Sequence, residues 1–150
     1  IKSYHSNVLD VYEGGEADKP DPMPYIIVII DELSDLMMQN SQKTEKALIQ
    51  LMQLSKMVGI HCVLSTSRPS ETVYTDTLLQ NAPTRIVFQT ASKIDSERVL
   101  GTSGAEELKG SGDMLFQMIN EEHLEHLQGF YISDDEINAN IKSKSHENLS

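Results

Sequence analysis

The sequence predicts an α/β domain whose sheet is mainly parallel and is flanked by helices. The aliphatic run at residues 26–30 is rich in β-branched side chains, as in strands that are buried on both faces. From residue 25 to residue 90 the pattern alternates strand, helix, strand, short helix and strand, which is typical of α/β domains. We therefore predict one domain at residues 25–133, with a linker or partial helix at residues 1–24 before it. A C-terminal helix and tail are predicted at residues 134–150.

A helix is predicted at residues 44–58, after the first strand. Its apolar residues recur at helical spacing, and they are Ala47, Leu48, Leu51, Met52, Leu54 and Val58. Thr44 is expected to cap the N-terminus of this helix, and Gly59 is expected to end it. The later elements are predicted as strands at residues 61–66, 84–90, 113–118 and 130–132, and as helices at residues 71–80, at residues 95–100 and from residue 134 onward.

Charge and composition limit the classes of protein that this chain can belong to. The net charge of −11 opposes non-specific attraction to a phosphate backbone. The longest aliphatic run, residues 26–30, is far shorter than the ~20 residues that a membrane span needs. Cys62 is the only cysteine, so the chain cannot form an internal disulfide. The chain begins at Ile1 without a signal segment, and we expect it to be an excised part of a longer protein.

The first strand is followed directly by two carboxylates, Asp31 and Glu32. The carboxyl end of a strand in an open α/β sheet is where such sheets bind ligands. Nucleotide hydrolysis needs one acidic group beside the Mg²⁺ and another that orients or deprotonates the attacking water. Asp31 suits the first role and Glu32 the second. The alternative is that both acids simply favour the N-terminus of the helix that follows.

Small hydroxyl side chains end the next predicted strand. Thr66 and Ser67 are expected at the same edge of the sheet as the two carboxylates, where they would contact a γ-phosphate or its water. Polar residues at such a junction also occur for reasons of turn formation alone. A solvated helix face is one interpretation of Lys43, Lys46 and Lys56, which lie at or near the predicted helix.

Several segments resemble the FtsK/SpoIIIE motor family, in family order and at family-like spacing. They are residues 24–32, 35–38, 59–66, 68–70, 83–86, 92–96, 104–106 and 112–115. The resemblance covers roughly residues 24–115, and a weaker similarity is found at residues 133–136. So many separate matches make the resemblance specific.

The resemblance implies the Walker-B half of a RecA-like P-loop NTPase core. Proteins of this kind use ATP and Mg²⁺ to move double-stranded DNA through a homo-hexameric ring in chromosome segregation and cell division. It makes Asp31 and Glu32 the Walker-B pair, with Asp31 as the magnesium ligand, and it places Ser67 at a polar sensor position. It also implies that Arg85 and the stretch 92–96 belong to subunit-interface and nucleotide-side elements.

Within that stretch, Lys93 and Asp95 are the candidate nucleotide contacts. The resemblance to a DNA motor also offers a second interpretation of Lys43, Lys46 and Lys56, which is that they contact DNA. The resemblance further implies a motor on the cytoplasmic side of the bacterial inner membrane. The membrane anchor is expected outside this chain, and this part of the protein is expected to be soluble.

The chain also departs from the family pattern. Ser67 stands where the family has Gln, and the arginine that usually follows the Asp-Ser pair comes one place late, at Arg98. No G-x-x-x-x-G-K-[ST] phosphate-binding loop occurs in the 150 residues, and we expect it upstream in the parent protein. Two alternatives remain open, which are a non-catalytic interaction module on the same fold and a related ring ATPase that moves protein in secretion. His123 and His126 lack a strong third ligand and are interpreted as surface histidines.

Overall fold

The strands of the computed structural model, which describes residues 24–119 and 123–147, form two small sheets. The elements in chain order are β1 (Ile26–Ile30), α1 (Leu33–Val58), β2 (Ile60–Leu64), α2 (Asp76–Asn81), β3 (Arg85–Phe88), α3 (Lys93–Leu100), a 3₁₀ turn (Ala105–Glu107), β4 (Asp113–Gln117), β5 (Leu124–Gln128) and α4 (Asp134–Glu147). β1 and β2 pair in parallel, whereas β3, β4 and β5 form an antiparallel sheet in that order. The contacts divide the chain into two compact units, Ile1–Pro83 and Thr84–Ser150.

The first unit has the helix-covered parallel pairing that the sequence predicted. β1 and β2 run in register, from Ile26 opposite Ile60 to Ile30 opposite Leu64. The apolar side chains of α1 pack over one face of this pair, and the buried cluster comprises Leu33, Met37, Leu48, Met52, Val73 and Leu78. Ile30, Cys62 and Leu64 pack against that cluster, and burial raises the pKa of the Cys62 thiol. The α/β class is therefore confirmed.

Helix α1 is longer than predicted and has a kink. It begins at Leu33, and Asn40 within it has non-helical backbone angles, φ −162° and ψ 86°. The Asn40 side-chain oxygen accepts the backbone N–H of Lys43 at 3.1 Å, so Asn40 caps the second segment. The prediction that Thr44 is the cap was wrong, because the Thr44 hydroxyl instead donates back to the Leu36 carbonyl at 3.2 Å.

The second unit differs from the expectation of a mainly parallel sheet. β4 pairs antiparallel with both β3 and β5. The strand predicted at residues 130–132 is absent from the structure, and β5 lies earlier in the chain. The prediction missed β5 because four of its five residues are exposed. The strand therefore has no apolar face by which its sequence could have been recognised as a strand. The aromatic residues Phe130 and Tyr131, which suggested a strand, are 97% and 89% exposed.

The remaining helices lie close to their predicted positions. α2 is shorter than predicted and starts after Thr75, whose side chain accepts the N–H of Leu78 at 3.2 Å. α3 starts after Ser92, and α4 begins at Asp134 as predicted. None of the helices in the described part of the chain combines the length and the apolar character that crossing a bilayer requires. The predicted partial helix within residues 1–24 lies almost entirely outside the described residues.

The end of α1 gives the first testable prediction. Gly59 has a left-handed backbone, φ 74°, while its N–H donates to the Ser55 carbonyl and its own carbonyl accepts the N–H of Ile26 at 3.1 Å. An added Cβ is strained in this conformation, so Gly59→Ala is expected to reduce the free energy of unfolding by about 1–2 kcal/mol. Urea denaturation checks this against Gln50→Ala, an exposed helix position where a change within about 0.5 kcal/mol is expected. Equal midpoints for both variants would contradict the assignment.

Candidate functional site

The carboxyl ends of β1 and β2 are held together beyond the last paired residues. The N–H of Ser65 donates to the Ile30 carbonyl, and the N–H of Leu33 donates to the Ser65 carbonyl, both at 2.8 Å. These two bonds fix the chain on either side of Asp31 and Glu32. The acidic pair and the hydroxyl residues after β2 therefore meet at one edge of the sheet, as the sequence predicted.

Glu32 is the most constrained acidic group at this edge. It has an extended backbone and caps α1, with its Oε1 accepting the N–H of Ser34 at 3.2 Å and also the hydroxyl of Thr66. Its Oε2 accepts the N–H of Ser67 at 2.9 Å and the hydroxyl of Ser67 at 2.6 Å. The Ser67 hydroxyl foremost, and then the Thr66 hydroxyl, hold the pKa of Glu32 well below its usual range. Glu32 is therefore ionised at neutral pH.

Asp31 is bound much more loosely than its neighbour. The Ser65 hydroxyl donates to the Asp31 backbone carbonyl and lies 3.5 Å from Oδ1. The side chain is otherwise exposed at the end of the strand. An exposed carboxylate of this kind is the type of oxygen ligand that Mg²⁺ takes, usually one or two at a time with water and phosphate completing the shell.

Sequence reasoning missed three residues at this edge. Ser34 supplies a backbone donor to Glu32, although its own hydroxyl is buried without a partner among the described residues. Tyr74 donates to the Leu64 carbonyl at 3.3 Å, and burial together with the negative charge of Glu32 raises the pKa of its phenol. Arg68 follows the hydroxyl residues, with its N–H donating to the Thr66 hydroxyl oxygen at 3.1 Å and its side chain exposed. Only Arg68 had a sequence signal, as a cation placed directly after the strand-end hydroxyls.

Two of the predicted site residues in the second unit are bound locally. The Arg85 guanidinium is half-buried and donates to the Val99 carbonyl at 2.7 Å and to the Gln117 side chain at 3.4 Å. Burial lowers its pKa. Lys93 is exposed and forms an ion pair of 3.5 Å with Glu97, one helical turn along α3.

Asp95 takes part in the N-terminal cap of α3. The Ser92 hydroxyl donates to the Asp95 carboxylate at 2.7 Å, and the Asp95 N–H donates to the Ser92 oxygen at 3.2 Å. The neighbouring Ser96 is fully buried, donates to the Thr102 carbonyl at 2.9 Å and accepts the N–H of Ala105 at 3.1 Å. These two hydrogen bonds of the Ser96 hydroxyl stabilise the loop that follows α3.

The candidate DNA-contacting lysines lie on α1. Lys43 and Lys46 are exposed, and Lys56 lies on the same helix. His126 lies on β5 rather than on a helix and contacts the buried carboxylate of Asp113. Within the described residues there is no cluster of three or more His, Cys, Asp or Glu residues suited to hold a metal ion.

Comparison with known proteins shows which family this chain resembles. The model of the FtsK/SpoIIIE family matches residues 7–71, a range that includes both strand ends. The chain is 48% identical over 127 residues to the DNA translocase FtsK of Brucella melitensis biotype 1, covering 85% of this chain. It is 45% identical over 139 residues to FtsK of Lactococcus lactis subsp. cremoris, covering 93% of this chain. This chain belongs to the FtsK/SpoIIIE family.

The match concerns a limited part of those FtsK relatives. The chain spans 15% of the Brucella protein and 18% of the Lactococcus protein. The family match and these identities confirm the resemblance to the FtsK/SpoIIIE family that the sequence predicted.

Two solved structures share the fold of this FtsK/SpoIIIE chain. The cytoplasmic domain of the Thermomonospora curvata type VII secretion ATPase EccC gives a TM-score of 0.74 at 23% identity, covering 88% of this chain and 14% of that chain. The pCW3 conjugation coupling protein TcpA, in its monomer form with ATPγS, gives 0.72 at 25% identity, covering 95% and 46%. These structures support the P-loop ATPase fold predicted for the domain.

The buried serine of the second unit gives a testable prediction. Ser96→Ala removes the partner of the Thr102 carbonyl and of the Ala105 N–H, and leaving buried polar groups unsatisfied costs about 1–3 kcal/mol. Ser103→Ala is the matched control, because Ser103 is exposed in the same loop. Denaturation midpoints should fall for Ser96→Ala and stay within error for Ser103→Ala. Indistinguishable midpoints would show that the Ser96 hydroxyl does not stabilise the loop.

Proposed function

We propose that this chain is the Walker-B part of a motor that couples ATP hydrolysis to the movement of double-stranded DNA in chromosome segregation and cell division. One observation carries the proposal. Asp31 and Glu32 follow a parallel strand and face the hydroxyls of the next strand, in a chain 48% identical to a protein named DNA translocase FtsK. This is the arrangement that nucleotide hydrolysis at a sheet edge requires.

Asp31 is the residue proposed to hold Mg²⁺. Its carboxylate is exposed and has only one long contact among the described residues, 3.5 Å from the Ser65 hydroxyl. It therefore remains available to a cation, whereas the oxygens of Glu32 already accept four hydrogen bonds. A magnesium ion bound there would neutralise charge on the phosphates of ATP.

Glu32 is proposed to orient the attacking water and accept its proton. Thr66 and Ser67 lie within hydrogen-bonding distance of Glu32; Thr66 is proposed to contact the nucleotide, and Ser67 is proposed to act on the catalytic group. Lys93, Asp95 and Arg85 are proposed to contribute nucleotide or interface contacts from the second unit. Lys93 suits such a role best, because its exposed ion pair with Glu97 is of a kind worth little and easily exchanged.

The proposed partners are duplex DNA and further copies of the chain. A homo-hexameric ring would carry the lysines Lys43, Lys46 and Lys56 of α1 towards the DNA. The net charge of −11 requires any DNA contact to be local, because the chain as a whole repels a phosphate backbone. The motor would lie on the cytoplasmic side of the inner membrane, anchored through segments outside this chain.

A second candidate is a non-catalytic interaction module on the same fold. The observation that favours it is the absence of a G-x-x-x-x-G-K-[ST] loop from the 150 residues, together with the acidic charge. In a motor, that loop must be supplied by the rest of the full-length protein.

Hydrolysis of Mg·ATP by the full-length protein, with and without duplex DNA, separates the two candidates. Strong stimulation by DNA is the expected result. A folded, assembled protein with no turnover under either condition would favour the non-catalytic module instead.

Replacing the proposed base gives a prediction of its own. Glu32→Gln keeps the size of the side chain but removes the proton acceptor, so the full-length variant should bind Mg·ATP and hydrolyse it ~10²–10⁴-fold more slowly. Rapid filtration with labelled ATP should recover unhydrolysed nucleotide on the protein. Glu71→Gln, an exposed glutamate elsewhere in the same unit, is the control and should turn over normally. Normal turnover by Glu32→Gln would remove Glu32 from its role.

The lysines of α1 give a prediction about DNA. Replacing both Lys43 and Lys46 by Ala in the full-length protein should weaken duplex binding and lower the slope of log K against log salt by about one per lysine. Lys109→Ala, an exposed lysine of the other unit, should leave the slope unchanged. Fluorescence anisotropy across a salt series measures this. An unaltered slope in the double variant would make these lysines a solvated helix face.

A further inference from the structure

The carboxylate of Glu32 is fully occupied by donors of the protein itself. Oε1 accepts the N–H of Ser34 at 3.2 Å and the hydroxyl of Thr66. Oε2 accepts the N–H and the hydroxyl of Ser67, at 2.9 Å and 2.6 Å. An ionised carboxylate has about four lone-pair sites, so these four donors fill it.

This occupancy leaves no lone-pair site for the water that Glu32 would deprotonate. A base must lie within hydrogen-bonding reach of the proton that it takes, and the water that carries this proton needs a lone pair to donate to. In the arrangement described, Glu32 offers none. At least one of the four donors must leave before Glu32 can receive a water.

The four donors differ in how easily they can leave. Two are backbone N–H groups, one in the first turn of α1 and the other in the loop after β2. The Thr66 hydroxyl is held from two sides, because its oxygen also accepts the N–H of Arg68 at 3.1 Å. The Ser67 hydroxyl is exposed, and Glu32 is its partner among the described residues. A hydroxyl rotates about a single side-chain bond, so Ser67 is the donor that leaves most easily.

We propose that the Ser67 hydroxyl is a positioning group that restrains Glu32, holding its Oε2 closed to water until the hydroxyl rotates away. The inference rests on the proposed function, since it concerns the base of that reaction. The short side chain of serine lets the N–H and the hydroxyl of one residue converge on the same oxygen. A longer side chain such as that of glutamine would carry its donor farther from its own backbone N–H. The restraint is therefore a property of this chain's serine.

The test compares Ser67 variants of the full-length protein in two measurements. Ser67→Ala should raise DNA-independent Mg·ATP turnover severalfold, because Oε2 loses its strongest side-chain donor. Its affinity for Mg·ATPγS, measured by calorimetry, should equal that of the wild type, because a positioning group does not contact the nucleotide in this state. Ser67→Thr keeps the hydroxyl and should behave like the wild type.

Two further variants serve as a control and as a second test. Ser70→Ala removes an exposed hydroxyl from the same loop that pairs with Thr72 and not with Glu32, so turnover should stay normal. Ser67→Gln places its amide donor away from Oε2 and should raise DNA-independent turnover as Ser67→Ala does. It tests the restraint even if the alanine variant folds poorly. In a Glu32→Gln background, Ser67→Ala should have no effect on the residual rate, since the two residues act as one unit.

Three results would overturn the inference. They are a fall in DNA-independent turnover in Ser67→Ala and Ser67→Gln, a loss of Mg·ATPγS affinity in these variants, or an effect of Ser67→Ala that persists with Glu32→Gln. Any of these would mean that Ser67 contacts the phosphate or its water directly. Failure of the proposed function is a separate outcome, because it appears as a wild-type protein without DNA-stimulated turnover.

Discussion

The in-register parallel pairing of β1 with β2 is the constraint on which the site depends. Ile30 lies opposite Leu64, and two backbone bonds through Ser65 continue this pairing past the strand ends. This alignment determines which hydrogen-bond donors from the end of β2 reach Glu32. A slip of one residue would move each side chain of β2 to the opposite face of the sheet. It would also move the Thr66 and Ser67 hydroxyls away from the carboxylate. The register is maintained because Ile30, Cys62 and Leu64 must face the core beneath α1.

The same alignment leaves two negative charges with little compensation. Among the described residues, neither Asp31 nor Glu32 forms an ion pair, and the donors to Glu32 are neutral hydroxyl and amide groups. Neutral dipoles stabilise one carboxylate but leave the local field negative. A divalent cation beside Asp31, as proposed above, would be attracted by such a field.

Much of this arrangement could be read from the sequence. The apolar run before Asp31 predicted β1, and the helical spacing followed by Gly59 predicted the end of α1. The meeting of the acids and hydroxyls at one edge followed from the parallel order. The four-fold occupancy of Glu32 could not be predicted, because it depends on side-chain rotamers that only the packed strand ends fix. The first segment of α1 was missed because it is only about two turns long and is separated from the predicted helix by the non-helical residue Asn40.

The second unit was harder to predict for a related reason. The strands β3 to β5 pair antiparallel, and β5 is mostly exposed, so neither alternation with helices nor an apolar face revealed it. The stretch 92–96 lies at the start of α3, and its residues are engaged locally, with Asp95 at a helix cap and Ser96 buried. These contacts depend on the packed structure, so the motif alone could not predict them.

Nucleotide binding by the full-length protein distinguishes the roles proposed for Asp31 and Glu32. Calorimetry of ATPγS binding with and without Mg²⁺ would be measured for the wild type, Asp31→Asn and Glu32→Gln. We expect Asp31→Asn to lose the gain in affinity that Mg²⁺ provides and Glu32→Gln to keep it. A normal magnesium dependence in Asp31→Asn, or its loss in Glu32→Gln alone, would contradict the assignment of the metal ligand and of the base.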